Sequence, residues 1–311
     1  MTSDARPHET SHPEVVERRP VKSDGLLGTL FVPPPDYRHG SGVVVLGGSR
    51  GGIEEHDAEV LAQAGLVTLA LAYFGIGPLP PALIEVPVES VTRAIEWLRA
   101  QPETGAGRIG IMGRSKGGEL ALVTASRYPD LVGAVVAYSP SPVVWQGLPA
   151  DRRGWREPPR SSWTIDGHAL PFLPFAKPRF RDLLGVASSM LTGKLALKPI
   201  HERALADEQA RDRALAPLER IAGPVMLISG TDDQLWPSSQ LCELAIERLA
   251  DREHATADQH LTYKDAGHLI GVPGNHPPES GRFTVGGTPE HDAQASTDSW
   301  PKVIAFLSQH L

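Results

Sequence analysis

A serine, an aspartate and a histidine stand in this chain in an order that suits acyl-transfer chemistry. Ser115 is the centre of a G-x-S-x-G motif, residues 113–117, with an apolar run before it and a helix-forming run after it. A strand that turns sharply into a helix needs small neighbours and lifts the residue at the turn clear of the sheet. The pattern therefore predicts a nucleophile elbow with Ser115 as the nucleophile. The alternative is an ordinary strand-to-helix turn with an idle serine.

A nucleophilic serine needs a base and an acid that orients the base. His268, in A-G-H-L-I behind a short apolar run, is the predicted base. The acid is Asp232 or Asp233 in G-T-D-D-Q-L-W-P. The G-x-x-D spacing ahead of Trp-Pro favours Asp233, and Asp232 is then a turn residue that caps backbone amides. Asp265 is too close to His268 in sequence to reach around it.

An oxyanion hole needs backbone amides from two places. One is the residue after the nucleophile, Lys116. The other lies in L-G-G-S-R-G-G behind the first buried strand, where Ser49 is the predicted donor and Gly48 and Arg50 are its neighbours in contact with substrate. A phosphate-binding loop would require Gly-Lys-Ser/Thr at the end of this run, and the chain has Gly-Gly-Ile-Glu instead. We therefore expect acyl chemistry at this loop and not nucleotide chemistry.

The elements that position these residues alternate between strand and helix patterns. The run G-V-V-V-L at 42–46 is typical of a strand buried on both faces, and residues 88–100 carry apolar residues at helical spacing. Such alternation predicts an α/β fold with a mostly parallel central sheet and helices on both faces. We expect residues 1–40 to form a tail and a short β-meander packed on the core, and residues 41–311 to form the catalytic domain.

A long segment at about 139–212 interrupts this alternation and is rich in proline, tryptophan and phenylalanine. Insertions of this length in a compact domain are usually functional. We expect a lid, with Trp145 binding the acyl chain, although the aromatic residues could instead only pack the insertion onto the sheet. Arg114 and Lys116 could contact an acidic head group of the substrate or face solvent.

Several motifs together resemble one known family. They are V-V-V-L-G-G-S-R-G-G, I-G-I-M-G-R-S-K-G-G-E-L-A-L, S-G-T-D-D-Q-L-W-P-S, Y-K-D-A-G-H-L-I and G-G-T-P. The chain from about Ser41 onward resembles the catalytic domain of the acyl-CoA thioesterase and bile acid-CoA:amino acid N-acyltransferase family. The resemblance implies an α/β-hydrolase fold and carries nucleophile, acid and histidine onto Ser115, Asp233 and His268.

Two departures from that family bear on function. Its mammalian members carry a β-sandwich domain before the catalytic domain, which we expect here to be absent or reduced to a few strands. The amino-acid-conjugating members typically use a cysteine nucleophile, whereas this chain has serine, and a serine ester is more readily cleared by water. We expect a serine hydrolase of an acyl thioester or ester. An acyltransferase that uses an amine or alcohol acceptor, and a non-catalytic binding module, are the alternatives.

Composition limits the partners. The formal net charge is -7 with no long basic run, so a nucleic-acid partner is not expected. The single cysteine, Cys242, excludes an internal disulfide and suits a reducing compartment. The first residues lack the apolar core of a signal peptide, and no apolar run approaches membrane-spanning length. We expect a cytoplasmic protein that acts on a small molecule, with no membrane association, no metal and no cofactor.

Overall fold

The computed structural model describes residues 16–23, 25–105, 107–177, 195–251, 256–274 and 283–311. Residues 1–15 of the predicted tail and residues 178–194 of the predicted insertion lie outside the described residues. The strands are β1 (Glu17–Ser23), β2 (Leu26–Val32), β3 (Gly42–Leu46), β4 (Val67–Ala72), β5 (Val86–Pro87), β6 (Ile109–Arg114), β7 (Val132–Tyr138), β8 (Trp163–Ile165), β9 (His168–Ala169), β10 (Val225–Gly230) and β11 (Gln259–Tyr263). The α-helices are α1 (Glu55–Gln63), α2 (Glu89–Arg99), α3 (Lys116–Arg127), α4 (Lys198–Leu205), α5 (Glu208–Ala214), α6 (Ser238–Ala250) and α7 (Pro289–His310).

Eight strands of the described chain form one sheet in the order β1-β2-β4-β3-β6-β7-β10-β11. The pairs from β4 through β11 are all parallel, and β1 and β2 are added antiparallel at one edge. The predicted α/β-hydrolase fold with a mostly parallel sheet is confirmed. The segment expected as a meander packed on the core is instead a hairpin that extends the sheet itself.

Both faces of the sheet are covered because the central strands are apolar throughout. Every residue of β3, β4, β7 and β10 is buried. Val44 and Val135 pack on one side with α2, α3 and α6, whereas Val43 and Val136 pack on the other with α1 and α7. Parallel sheets covered in this way show continuous apolar strands, as the sequence predicts.

The insertion occupies the chain between β7 and β10, residues 139–224, and so extends past the predicted end near 212. Its described part contains β8 and β9, which form a small second sheet with β5, and also α4 and α5. Because α3 packs on the sheet with one face and is covered by the insertion on the other, this helix is buried from Lys116 to Ser126.

Candidate active site

Ser115 occupies a strained turn between β6 and α3. Its φ is 53° and its ψ is -117°, a conformation that a non-glycine residue rarely adopts. The two glycines of the motif are required by close packing. A Cβ at Gly113 would lie 2.2 Å from the Gly117 carbonyl oxygen, and one at Gly117 would lie 2.3 Å from that of Gly47. The turn has the geometry that the G-x-S-x-G motif predicts for a nucleophile elbow.

Asp233 and His268 form a buried pair. The distance from His268 Nδ1 to Asp233 Oδ2 is 2.7 Å, and the two residues are 4% and 1% exposed, respectively. The other carboxylate oxygen, Oδ1, accepts the backbone N–H groups of Leu235 at 2.9 Å and Trp236 at 3.3 Å. Because Nδ1 faces the carboxylate, Nε2 of the imidazole is left to accept a proton, as a general base requires.

The two alternative aspartates have other partners. Asp232 is exposed, and its carboxylate accepts the side-chain amide of Gln234 at 2.7 Å and the backbone N–H of Gly287 at 2.8 Å. It therefore caps a loop, as expected for a turn residue. Asp265 is also exposed, and its backbone N–H donates to the Thr231 hydroxyl at 2.9 Å. Of the three aspartates considered, the structure brings Asp233 to His268.

The three predicted catalytic residues follow three strands of one parallel array, β6, β10 and β11, and so lie at the same edge of the sheet. Ser139, which follows the intervening β7, links the loops. Its hydroxyl donates to the His268 carbonyl at 3.3 Å, and its own carbonyl accepts the Trp236 indole N–H at 3.1 Å. These bonds fix the acid and histidine loops next to the strand that adjoins the elbow.

A short segment between β11 and α7, residues 283–288, makes a second connection between the loop that carries Asp233 and the loop that carries His268. The Val285 carbonyl accepts backbone N–H groups from both His268 at 2.9 Å and Gln234 at 3.3 Å. Gly286 has a φ of 72°, and a Cβ there would lie 1.6 Å from the Asp232 carbonyl oxygen. The G-G-T-P motif of the sequence thus supplies the glycine that lets this segment pass between the two loops.

The glycine-rich loop after β3 reaches the nucleophile. A Cβ at Gly48 would lie 3.6 Å from the Cβ of Ser115, while Ser49 and Arg50 are exposed beside it. The Tyr73 hydroxyl donates to the carbonyl oxygens of Gly47 and Gly48 and holds the loop. Burial raises the pKa of Tyr73, so the phenol stays a donor. Tyr73 directly follows the end of β4, but no role was predicted for it from the sequence.

Lys116 is not on the surface. Its ammonium lies 2.7 Å from each carboxylate oxygen of Glu119 and 2.8 Å from the Ser162 hydroxyl, and Lys116 and Glu119 are 4% and 0% exposed. Glu119 also accepts the Trp163 indole N–H at 2.7 Å and the Trp145 backbone N–H at 3.2 Å. Burial lowers the pKa of Lys116 and raises the pKa of Glu119, and the partner's charge opposes each shift. The buried pair joins the elbow helix to the insertion.

The side chain of Arg114 also binds other residues of the protein. Its guanidinium forms a 2.9 Å ion pair with Asp57 of α1. It also packs against Gly271, where an added Cβ would lie 2.4 Å from Arg114 Nη2. The expectation that Arg114 and Lys116 contact a substrate head group or face solvent is therefore wrong. Both side chains hold the elbow against neighbouring elements.

Trp145 does not have the exposed position expected of an acyl-binding residue. It is fully buried, its indole N–H donates to the Ser141 hydroxyl at 2.9 Å, and its ring contacts Phe175 and His201. It belongs to a cluster that packs the insertion against α6. The structure supports the packing role that the sequence left open, and Trp145 has no exposed ring surface to offer an acyl chain.

A row of aromatic rings leads from the insertion to His268. His201 lies edge-on to Phe175 at 5.1 Å and to Trp236 at 6.0 Å, and Trp236 lies 5.8 Å from His268. Burial lowers the pKa of His201 to about 4, so the ring is neutral near pH 7. Sequence patterns do not identify His201, because its ring is brought to the site only by the fold of the insertion.

Within the described ranges, no three His, Cys, Asp or Glu side chains are grouped so that they could hold a metal ion. The helices of that same part are all too short or too polar to cross a membrane.

The sheet order, the elbow and the Asp–His pair define the class of protein, an α/β hydrolase. Among solved structures the chain is similar to a monoacylglycerol lipase from Paleococcus ferrophilus, with 20% identity, 92% of this chain and 99% of that chain covered, and a TM-score of 0.53. It is also similar to the esterase Pf2001 from Pyrococcus furiosus, with 17% identity, 95% and 93% covered, and a TM-score of 0.53. At these identities the likeness establishes the fold.

Residues 86–311 match the family described as BAAT / Acyl-CoA thioester hydrolase C terminal, and the chain belongs to this family. The resemblance inferred from the sequence motifs is confirmed. The chain is similar to acyl-coenzyme A thioesterase 6 of Homo sapiens, with 29% identity over 308 residues that cover 95% of this chain and 66% of the relative. Acyl-coenzyme A thioesterase 1 of Homo sapiens is 28% identical over 312 residues. The chain thus spans 66% of the length of these relatives.

Proposed function

We propose that this protein is a serine hydrolase that cleaves an acyl thioester, with Ser115 as nucleophile, His268 as base and Asp233 as the acid that orients it. The observation that carries the proposal is the 2.7 Å contact between Asp233 and His268 at the sheet edge where Ser115 occupies its strained turn. Membership of a family named for acyl-CoA thioester hydrolysis supports a thioester as substrate.

The chemistry follows from these positions. The Ser115 hydroxyl attacks the acyl carbonyl while Nε2 of His268 takes its proton. Asp233 holds the imidazole in the tautomer that can accept this proton and stabilises the imidazolium that forms. The backbone N–H groups of Lys116 and Ser49 stabilise the oxyanion. His268 then protonates the departing thiolate. Water attacks the acyl-enzyme with His268 again as base, and the bond from the acyl carbon to Ser115 Oγ breaks as His268 returns the proton to Oγ and the carboxylic acid is released.

Water is the acceptor that a serine nucleophile favours. An acyl serine is an oxygen ester, which lacks the reactivity toward amines that a thioester has. The family name also covers acyl transfer to amino acids, so the two outcomes are compared directly in the test. A transferase would yield an amide product when an amine such as glycine is added, whereas a hydrolase yields the free acid alone.

The test is a hydrolysis screen of the purified chain over acyl-CoA thioesters and nitrophenyl esters of graded chain length. Ser115→Ala should retain its melting temperature and lose about 10³-fold or more in turnover, because triad members act as a unit. Ser90→Ala on α2, whose hydroxyl donates to the Pro87 carbonyl, is the matched control. A folded Ser115→Ala protein with turnover close to wild type would refute the assignment, as would the absence of fluorophosphonate labelling at Ser115 in the wild type.

A further inference from the structure

The insertion presents an exposed tryptophan. Trp155 lies in the short 3-10 turn Gly154–Arg156, and its side chain is 52% exposed, more than any other large hydrophobic side chain in the described part of the chain. One face of the indole stacks on Phe175, with 6.3 Å between ring centroids and 24° between planes. The indole is thus held in a fixed orientation while about half of it remains open to solvent.

Three arginines lie within three residues of Trp155 in the chain. Arg152, Arg153 and Arg156 are all exposed, and none of them forms an ion pair with any described residue. The nearby Asp151 carboxylate instead accepts the backbone N–H of Gly154 at 2.9 Å. We call Arg152, Arg153, Trp155 and Arg156 the Trp155 patch. Residues 151–157 thus carry three guanidinium groups against the two carboxylates of Asp151 and the exposed Glu157, in a chain whose formal net charge is -7.

The patch lies within reach of the catalytic site. The row of rings from Trp155 through Phe175, His201 and Trp236 ends at His268, and each step is 5.1–6.3 Å. The indole of Trp155 is therefore at most about 23 Å from the imidazole of His268. CoA separates its thiol from its adenine by a pantetheine arm and a pyrophosphate, so an extended CoA thioester can span a gap of this size.

The chemistry of the patch matches the nucleotide end of CoA. An exposed indole face is a stacking platform for a base, and guanidinium groups bind phosphates with paired N–H donors. We propose that the Trp155 patch binds the 3′-phosphoadenosine diphosphate end of an acyl-CoA, with adenine on Trp155 and the phosphates among the arginines. This inference rests on the proposed thioester hydrolysis and specifies CoA as its leaving group.

The first test compares one acyl group on CoA, on dephospho-CoA and on N-acetylcysteamine, which lacks the nucleotide. Trp155→Ala should raise KM for the CoA thioester about 10-fold, the scale of a lost base stack, and Trp155→Phe should restore most of it. Replacing all three arginines by glutamine should also raise this KM, flatten its rise with salt and remove any preference for CoA over dephospho-CoA. For the N-acetylcysteamine thioester we expect no comparable change.

Two control variants and a binding measurement complete the design. Tyr37→Ala removes a second exposed aromatic side chain of the described residues, 44% exposed, and Arg93→Gln removes an exposed arginine on α2. Both variants should leave KM for the CoA thioester unchanged. An unchanged KM in Trp155→Ala, or equal rises for CoA and N-acetylcysteamine thioesters, would overturn the inference.

Calorimetric titration of CoA into Ser115→Ala protein, with and without Trp155→Ala, tests whether the Trp155 patch binds CoA and does not depend on turnover. Weaker binding in the double variant supports the patch even if no thioester is hydrolysed, in which case the proposed function alone fails. Equal binding, or no binding, overturns the patch whatever the hydrolysis screen shows.

Discussion

The buried pair of Lys116 and Glu119 allows a quantitative prediction about stability. In Glu119→Gln, the ammonium of Lys116 loses its counter-charge while it stays 4% exposed, with the Ser162 hydroxyl at 2.8 Å as its remaining strong partner. Removing one partner of a buried ion pair usually costs about 3–5 kcal/mol, because a buried charge is left uncompensated. We expect Glu119→Gln to lower the free energy of unfolding by this amount.

The double variant separates this charge effect from the loss of hydrogen bonds. With Lys116→Met added, no buried charge remains, and the glutamine oxygen can still accept the two N–H groups from Trp145 and Trp163. We therefore expect the double variant to be more stable than Glu119→Gln alone. The losses in free energy of unfolding measured for Glu119→Gln and for Lys116→Met, added together, should exceed the loss in the double variant by about 3 kcal/mol, as expected for residues in direct contact.

Urea unfolding followed by tryptophan fluorescence measures these differences. The control is Lys302→Met, which breaks a surface pair with Asp298 whose side chains are about half exposed and should cost less than about 1 kcal/mol. In Glu119→Gln the penalty should shrink as pH rises, because burial without a counter-charge lowers the pKa of Lys116 further and the neutral amine is then favoured. Losses that simply add, or a Glu119→Gln protein as stable as the Lys302→Met control, would refute this reasoning.

Three further outcomes follow from the site. Asp233→Asn should cost on the order of 10⁴-fold in kcat through loss of the His268 tautomer, whereas Asp232→Asn should be far milder; steady-state kinetics of both decides, and a reversed order contradicts the assignment. Trp145→Ala should lower the free energy of unfolding by about 3–5 kcal/mol and reduce activity alike for short and long acyl groups, so a loss confined to long chains contradicts the packing role. The pKa of His201 is lowered to about 4 when folded. As pH falls, His201 is therefore protonated in the unfolded chain before it is protonated in the folded protein. Its contribution to the free energy of unfolding is fully present above pH 6.5 and should decrease by about 3 kcal/mol as pH drops towards 4. His201→Phe should have a shallower slope over that range, and an unchanged slope would show that His201 does not titrate there.

The sequence predicted the sheet and the elbow well because these depend on local pattern. The run at 42–46 is apolar without interruption, which is typical of a strand covered on both faces. The choice of Asp233 over Asp232 came from spacing to Trp-Pro, and the structure shows its physical basis: the amides of Leu235 and Trp236 hold the carboxylate.

The environment of Lys116 could not be read from the sequence. A lysine and a glutamate three residues apart on a helix look like an exposed pair, which is their usual role. They are buried here because residues 145 and 163, distant in sequence, return over α3. The same reason explains why the burial of Trp145 was not predicted, since composition shows that an aromatic residue is present but not which way its side chain points in the folded insertion.

The segment 283–288 has a consequence for natural variation. Its Val285 carbonyl carries one bond to the acid loop and one to the histidine loop, and Gly286 passes against the backbone of Asp232 where no side chain fits. A substitution here would shift two loops at once without altering any group that touches substrate. In a random mutagenesis screen, inactive alleles should therefore accumulate at these positions, and single compensating changes should be rare because no one replacement can restore both loops.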